Sequence, residues 1–237
     1  MANLIIRNIP NAITSCNLIS GCIATSYALY GRFSAALLFI IIGAVFDFFD
    51  GMSARLLHVS SAIGKELDSL ADNVTFGVAP ACMVLTMCKL CAYPECLMGV
   101  KAYLPYIALI MAAFSAIRLA KFNLDTRQAT SFIGLPTPAN ALFWASLVVA
   151  YQRVFMREDE PYWALILLAG TLVFSYFLVS DLPMFALKFK NLSWADNKIK
   201  YIFVLTSIVL LVFLGISGIA AVILWYLILS SILSLKA

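Results

Sequence analysis

Charge is the scarcest commodity in this sequence. Asp, Glu, Lys and Arg make up 12% of its 237 residues against 63% hydrophobic, and the mean hydropathy is +0.98. A soluble globular domain carries about 25% charged and 45–50% apolar residues, so no water-soluble domain fits into this chain. Nucleic-acid binding is excluded on the same ground, because sixteen bases against twelve acids leave a net charge of only +4. Histidine occurs once, as His58 in a connecting segment, and receives no role. Cysteine offers a single Cys88-x2-Cys91 pair, with Cys82 and Cys96 nearby and no second CxxC or histidine to complete a zinc site. Such cysteines serve as small apolar fillers. Internal repeats and low-complexity tracts are lacking. A basic n-region followed by a short apolar stretch and a cleavage site is lacking too, so the first span is expected to carry the membrane address itself.

What is present is a series of eight apolar runs, six of 17 or 18 residues, near the length of about 20 that crosses a bilayer, and two shorter, the fifth being the shortest. They cover residues 13–30, 33–49, 74–90, 103–119, 139–151, 162–179, 201–214 and 219–235. The expected fold is therefore all-α: a polytopic transmembrane helix bundle of about eight spans, forming a single integral membrane domain over residues 1–237. Residues 1–10, with Leu4, Ile5, Ile6 and Ile9, read as a short interfacial segment. Residues 199–237 hold two additional C-terminal spans, joined by a tight turn from Gly215 to Gly218. An even number of spans puts both termini on one side. With that side cytoplasmic, Arg7, Arg55, Lys65, Arg118, Lys121, Arg127, Lys188, Lys190, Lys198, Lys200 and Lys236 lie inside, against Arg32, Lys89, Lys101, Arg153 and Arg157 outside. The excess satisfies the positive-inside rule.

Four of the twelve acids, Asp47, Asp50, Asp68 and Asp72, are aspartates within 26 residues. An ionisable group inside a span is costly and is by default a site. Asp47 and Asp50 are three apart at the end of the second span, and Asp68 and Asp72 four apart before the third, so each pair projects from one helix face. Antiparallel neighbouring spans bring the pairs to similar depth. Four such charges repel by several kcal/mol at an effective dielectric of about 20, so a cation belongs between them. Oxygen-only ligands favour a hard divalent ion, Mg²⁺ or Mn²⁺. Two rival readings use the same residues: helix caps and interfacial charges, or an ion-coupled transporter. The latter calls for broken helices at mid-membrane and an inverted repeat. Gly51, Ala54 and Gly64 leave room for a phosphorylated ligand to approach the backbone, and Arg55 offers it a guanidinium fork.

Residues 47–72 match all eight positions of D-x2-D-G-x2-A-R-x8-G-x3-D-x3-D, a coincidence on the order of one in 10⁹ at random. In this stretch the chain resembles the CDP-alcohol phosphotransferase family. The resemblance implies an integral membrane enzyme that binds a CDP-linked lipid through divalent metal and transfers its phosphatidyl group to an alcohol, releasing CMP. It also implies that residues 47–72 are the catalytic segment, that Asp47, Asp50, Asp68 and Asp72 bind metal, that Asp72 is the general base, and that the protein is a homodimer.

Three further stretches, Asn73 to Ala81, Ile117 to Leu124 and Phe132 to Asn140, are similar to the bacterial and archaeal phosphatidylserine synthase branch of that family, as is the opening Pro10-Asn11-Ala-Ile-Thr14-Ser-Cys-Asn17. This likeness implies CDP-diacylglycerol and L-serine as substrates and a prokaryotic cytoplasmic membrane, on whose cytoplasmic side the charge count puts both termini and the aspartates. Glycerol 3-phosphate or an inositol phosphate is the alternative acceptor. Thr14 and Asn17, one turn apart, are suited to hydrogen-bond the cytosine, or to make interhelical contacts. Arg118, Lys121 and Asn123 can hold a carboxylate or phosphate, though the two bases also fit the positive-inside rule. Gly134, Pro136 and Pro138 make a rigid loop that either walls the acceptor pocket or simply starts a helix. Gly77 and Pro80 are read as shaping the third span.

Overall fold

The computed structural model describes residues 2–59, 61–124, 132–184 and 193–234. Arg127, Lys188, Lys190 and Lys236 from the charge count lie outside the described residues. Within them the chain is an all-α bundle, as lipid demands of a backbone that must satisfy its own hydrogen bonds. Helix α1 runs Ala2–Leu29 and continues through Pro10; α2 spans Phe33–Leu56. Helix α3 (Ala62–Asp72) passes without a break through a π turn, Asn73–Val78, into α4 (Ala79–Leu90). A tighter 3₁₀ segment, Leu104–Leu109, leads into α5 (Ile110–Leu124). Then follow α6 (Thr137–Phe155), α7 (Trp163–Val179), α8 (Trp194–Leu214) and α9 (Ile216–Ser234).

The eight apolar runs correspond to eight helical stretches, six of which are long and apolar enough to cross a membrane. The other two are α7, apolar but 17 residues long, and α6, whose 19 residues include Asn140, Gln152 and Arg153. Helix α6 is largely buried, whereas α7 keeps Ile166, Leu172, Val173 and Tyr176 exposed. Helix α6 packs against α2, α4, α7 and α9, and Phe143 stacks on Phe174 of α7 with ring centroids 4.1 Å apart.

Three details differ from the expectation. The third span begins at Ala62, so Asp68 and Asp72 lie inside the helix and not ahead of it. The α8–α9 turn centres on Gly215, with φ of 57°, while Gly218 is already helical. A Cβ on Gly218 would lie 2.6 Å from the Leu210 carbonyl oxygen, so that glycine permits the close hairpin. Finally, a short β-ladder is present: β1 (Phe132–Ile133) pairs antiparallel with β2 (Pro183–Met184). Gly134, at φ of 74°, lies against the carbonyls ending α7, and the Leu135 amide donates to Phe177 O. The Gly-Leu-Pro stretch is thus a clamp that ties the start of α6 to the end of α7.

Candidate active site

The α2–α3 connection fixes the register of the acidic pairs. Helix α2 ends in a Schellman cap: the Val59 amide donates to Ala54 O at 3.0 Å and the His58 amide to Arg55 O at 3.3 Å. His58 takes the left-handed position there, with φ of 52°. Ser61 then caps α3, its Oγ accepting from the Gly64 amide at 3.0 Å. With both ends defined, the antiparallel helices bring carboxylate oxygens of Asp47, Asp50 and Asp68 within 4.8 Å of one another. Glu66, a fifth acid in the same stretch, is exposed and outside this triad. Asp50 is 6% exposed, and its Oδ2 has no hydrogen-bond partner among the described residues. A buried anionic oxygen in a cluster of three carboxylates is a donor set that suits a hard divalent cation.

Asp72, one turn beyond Asp68, stands outside the triad but within electrostatic reach of Asp47 and Asp68. Its Oδ1 accepts a 3.0 Å hydrogen bond from Nδ2 of Asn17 on α1. Thr75 Oγ1 lies 2.8 Å from Asn17 Oδ1, donating to it, and 3.1 Å from the Asn17 carbonyl oxygen. Thr75 is wedged between two helices by glycine: a Cβ on Gly21 of α1 would overlap its hydroxyl, and one on Gly43 of α2 would lie 2.5 Å from its methyl.

Beside the triad is a cleft of about 270 Å³ lined by Pro10, Asn11 and Thr14 of α1, Asp50, Gly51 and Ala54 of α2, and Ser61, Gly64, Lys65 and Asp68 around the start of α3. Most of the residues singled out for the CDP-lipid meet here. A Cβ on Gly51 would find only the Arg55 guanidinium, 4.0 Å away, so that wall is open. Gly64 is small for another reason: a Cβ there would lie 2.9 Å from both Asn11 Oδ1 and Ser61 Oγ. Arg55 is exposed and folds back so that Nε donates to Gly51 O at 2.9 Å. Thr14 lines the cleft while donating to Pro10 O at 3.0 Å. Asn17 is fully buried, with both ends of its amide engaged as described.

The three residues singled out for the acceptor separate. Arg118 is 7% exposed, its Nη1 reaches Thr137 Oγ1 at 3.5 Å, and it lies within electrostatic reach of Asp72. Lys121 is exposed and donates to the Val179 carbonyl at the end of α7. Asn123 donates to Ser69 Oγ at 2.8 Å, and its carbonyl accepts from Lys65 Nζ at 3.0 Å, tying α5 to α3. Around Arg118 the structure gathers polar groups that sequence reasoning missed. Ser115 lies one turn before it on α5, Asn140 one turn after Thr137 on α6, and Asn73 opens the π turn. Ser115 Oγ, Asn73 Oδ1 and both amide atoms of Asn140 are buried without a partner among the described residues. Gly77 holds this corner open, since a Cβ on it would lie 2.7 Å from Asn73 Oδ1 and 2.9 Å from Ser115 Oγ. The one available signal was periodicity, because Ser115 and Arg118, like Thr137 and Asn140, are three apart.

Several known proteins are similar to this chain in sequence. A chain named CDP-diacylglycerol-serine O-phosphatidyltransferase from Bacillus subtilis is 37% identical over 178 residues, covering 73% of this chain and 88% of that one. A protein of the same name from Mycobacterium bovis is 33% identical over 184 residues, 74% of this chain and 60% of its own. Another from Helicobacter pylori is 28% identical over 228 residues, spanning 91% and 90%. The profile of the CDP-alcohol phosphatidyltransferases matches residues 7–177, which include the aspartate triad, Asn17, Asp72 and the Arg118 corner. With its acidic segment, its cleft and most of its helices inside that match, the chain belongs to the CDP-alcohol phosphatidyltransferase family.

Proposed function

We propose that the protein transfers the phosphatidyl group of CDP-diacylglycerol to the hydroxyl of L-serine, giving phosphatidylserine and CMP. The observation that carries this reading is a three-carboxylate cluster whose Asp50 and Asp68 line an open cleft, with Asp72, one turn beyond Asp68, within electrostatic reach of the buried Arg118. Asp47, Asp50 and Asp68 would hold one or two divalent cations, Mg²⁺ or Mn²⁺, which when bound neutralise the diphosphate and stabilise CMP as leaving group. The cleft between α1, α2 and α3 takes the CMP half of the donor. Its volume, just under the range of about 300–1,000 Å³ usual for small-molecule sites, suits a nucleotide and leaves the acyl chains in the bilayer.

Serine binds on the other side of the cluster, where the Arg118 fork pairs with its carboxylate and the amides of Asn73 and Asn140 with its ammonium group. Asp72, between the two halves, takes the serine hydroxyl proton as that oxygen bonds to the β-phosphorus and the bond to the CMP oxygen breaks. A carboxylate is a weak base for an alcohol, so the holding of both reactants in line supplies much of the rate. Lys121 and Asn123 keep the roles their contacts give them, fastening α5 to α7 and α3. The site end of the bundle faces the cytoplasm, where serine and CMP are soluble, and the Lys and Arg excess supports that orientation.

Purified protein given CDP-diacylglycerol and divalent cation tests this with an acceptor panel. Serine should release CMP and form labelled lipid, and chelator should stop both. CMP release with glycerol 3-phosphate or an inositol phosphate instead of serine overturns the acceptor. Ion flux across sealed vesicles without CMP release favours the transporter reading of the same carboxylates.

A further inference from the structure

The reading of Asp72 as base leaves open what holds its carboxylate in place. A free aspartate turns about two side-chain torsions, whereas proton transfer requires one oxygen within hydrogen-bond reach of the serine hydroxyl. We propose that Asn17 is the positioning residue for Asp72, and that Thr75 in the π turn fixes Asn17 in the only amide orientation that can do this.

The chemistry of the three groups dictates the direction of every hydrogen bond. An ionised carboxylate only accepts, so the amide edge facing Asp72 is Nδ2, at 3.0 Å. Oδ1 of the same amide then faces Thr75, whose hydroxyl donates to it across 2.8 Å. Turning the amide over would set its oxygen against the Asp72 carboxylate and take from the Thr75 hydroxyl its shorter acceptor, leaving it only the Asn17 carbonyl oxygen at 3.1 Å. Thr75 thereby makes the flipped orientation unfavourable, and Asp72 Oδ1 stays bound to Nδ2, leaving Oδ2 for the substrate.

The backbone explains why Thr75 can serve as the fixed end. It is fully buried, and Gly21 and Gly43 allow α1 and α2 to close on it from two sides. The π turn that contains it starts at Asn73, immediately after Asp72, so base and anchor belong to one continuous helix while Asn17 bridges them from another. π turns of this kind recur at functional sites because they re-aim side chains within an otherwise regular helix. Asn17 is fully buried and outside the set of residues lining the cleft, so it acts through Asp72 and not on the nucleotide.

Steady-state kinetics of three variants in the full-length protein test the proposal, with Asp72→Asn run alongside. Removal of an orienting hydrogen-bond partner typically costs about 10- to 100-fold. Asn17→Ala should lower kcat by that factor while KM for serine and CDP-diacylglycerol stays within about threefold. Thr75→Val keeps the shape and packing but deletes the donor, and should lower kcat by about tenfold; Thr75→Ser restores the donor and should recover most of it. A raised KM for CDP-diacylglycerol with unchanged kcat in Asn17→Ala would make Asn17 a ligand contact and overturn the inference. Equal losses in Thr75→Val and Thr75→Ser would do so as well, because packing alone would then account for Thr75. The two readings separate cleanly: inert Asp72→Asn with fully active Asn17→Ala overturns the positioning role alone, whereas active Asp72→Asn removes the base assignment beneath it.

Discussion

Replacing Asp68 by asparagine should make the chelated protein more stable while it inactivates the enzyme. The triad places three like charges with oxygens no more than 4.8 Å apart. At an effective dielectric of about 20, each ionised pair at that distance repels by about 3.5 kcal/mol. Asp68 belongs to two of the three pairs, so removing its charge relieves about 7 kcal/mol before solvent screening. Asp47 and Asp68 are only half buried, and Asp68 lines the open cleft, so solvent screening reduces the gain to about 1–2 kcal/mol. For a chain of this size that is a rise in Tm of about 2–8 °C. Melting curves in detergent with EDTA, recorded for the wild type and Asp68→Asn, read the gain. The same curves with added Mn²⁺ read the other half: a bound ion stabilises the wild type by mass action, and this increment should shrink or vanish in the variant along with CMP release. A variant that melts lower than the wild type in EDTA and keeps the full Mn²⁺ increment would refute the argument.

Other expectations follow from single contacts. Gly43→Ala should cost about 1–3 kcal/mol, because its methyl would press on Thr75 and Asn17; thermal melts and CMP release should fall together. His58→Gly should raise stability by about 1 kcal/mol by relieving the left-handed conformation in the α2 cap, without changing kcat. Arg118→Lys keeps the charge but loses the fork, and should raise the serine KM by about 10-fold or more with the CDP-diacylglycerol KM little changed. An equal rise in both would place Arg118 on the diphosphate instead.

Much of this molecule was legible before any coordinates because lipid simplifies the code. Apolar runs had to be helices, and acids interrupting them had to cluster. The eight-residue signature then identified Asp47, Asp50, Asp68 and Asp72. Less legible was anything set by contact between helices distant in sequence. Asn17 could be read as a cytosine contact or an interhelical one from its polarity and spacing from Thr14, but its partners Asp72 and Thr75 are 55 and 58 residues away and could not be named. Lys121 and Asn123 looked equivalent to Arg118, yet the helical turn separates them: Arg118 faces inward, and the others reach the ends of neighbouring helices. The ladder between residues 132–133 and 183–184 is too short to carry any alternation. Gly64 reads in the sequence as leaving room for a phosphorylated ligand, whereas the space above it holds Asn11 Oδ1 and Ser61 Oγ, and Gly77, which reads as shaping the third span, lies against Asn73 and Ser115.

The central claim is a division of labour: Asp47, Asp50 and Asp68 hold the cation, and Asp72 handles the proton. Mn²⁺ binding measured by electron paramagnetic resonance on the four Asp→Asn variants, beside their CMP release, tests it most directly. The account predicts four inactive proteins, of which only Asp72→Asn still binds Mn²⁺. Loss of all Mn²⁺ binding in Asp72→Asn, or its full retention in Asp47→Asn, Asp50→Asn and Asp68→Asn, would contradict it.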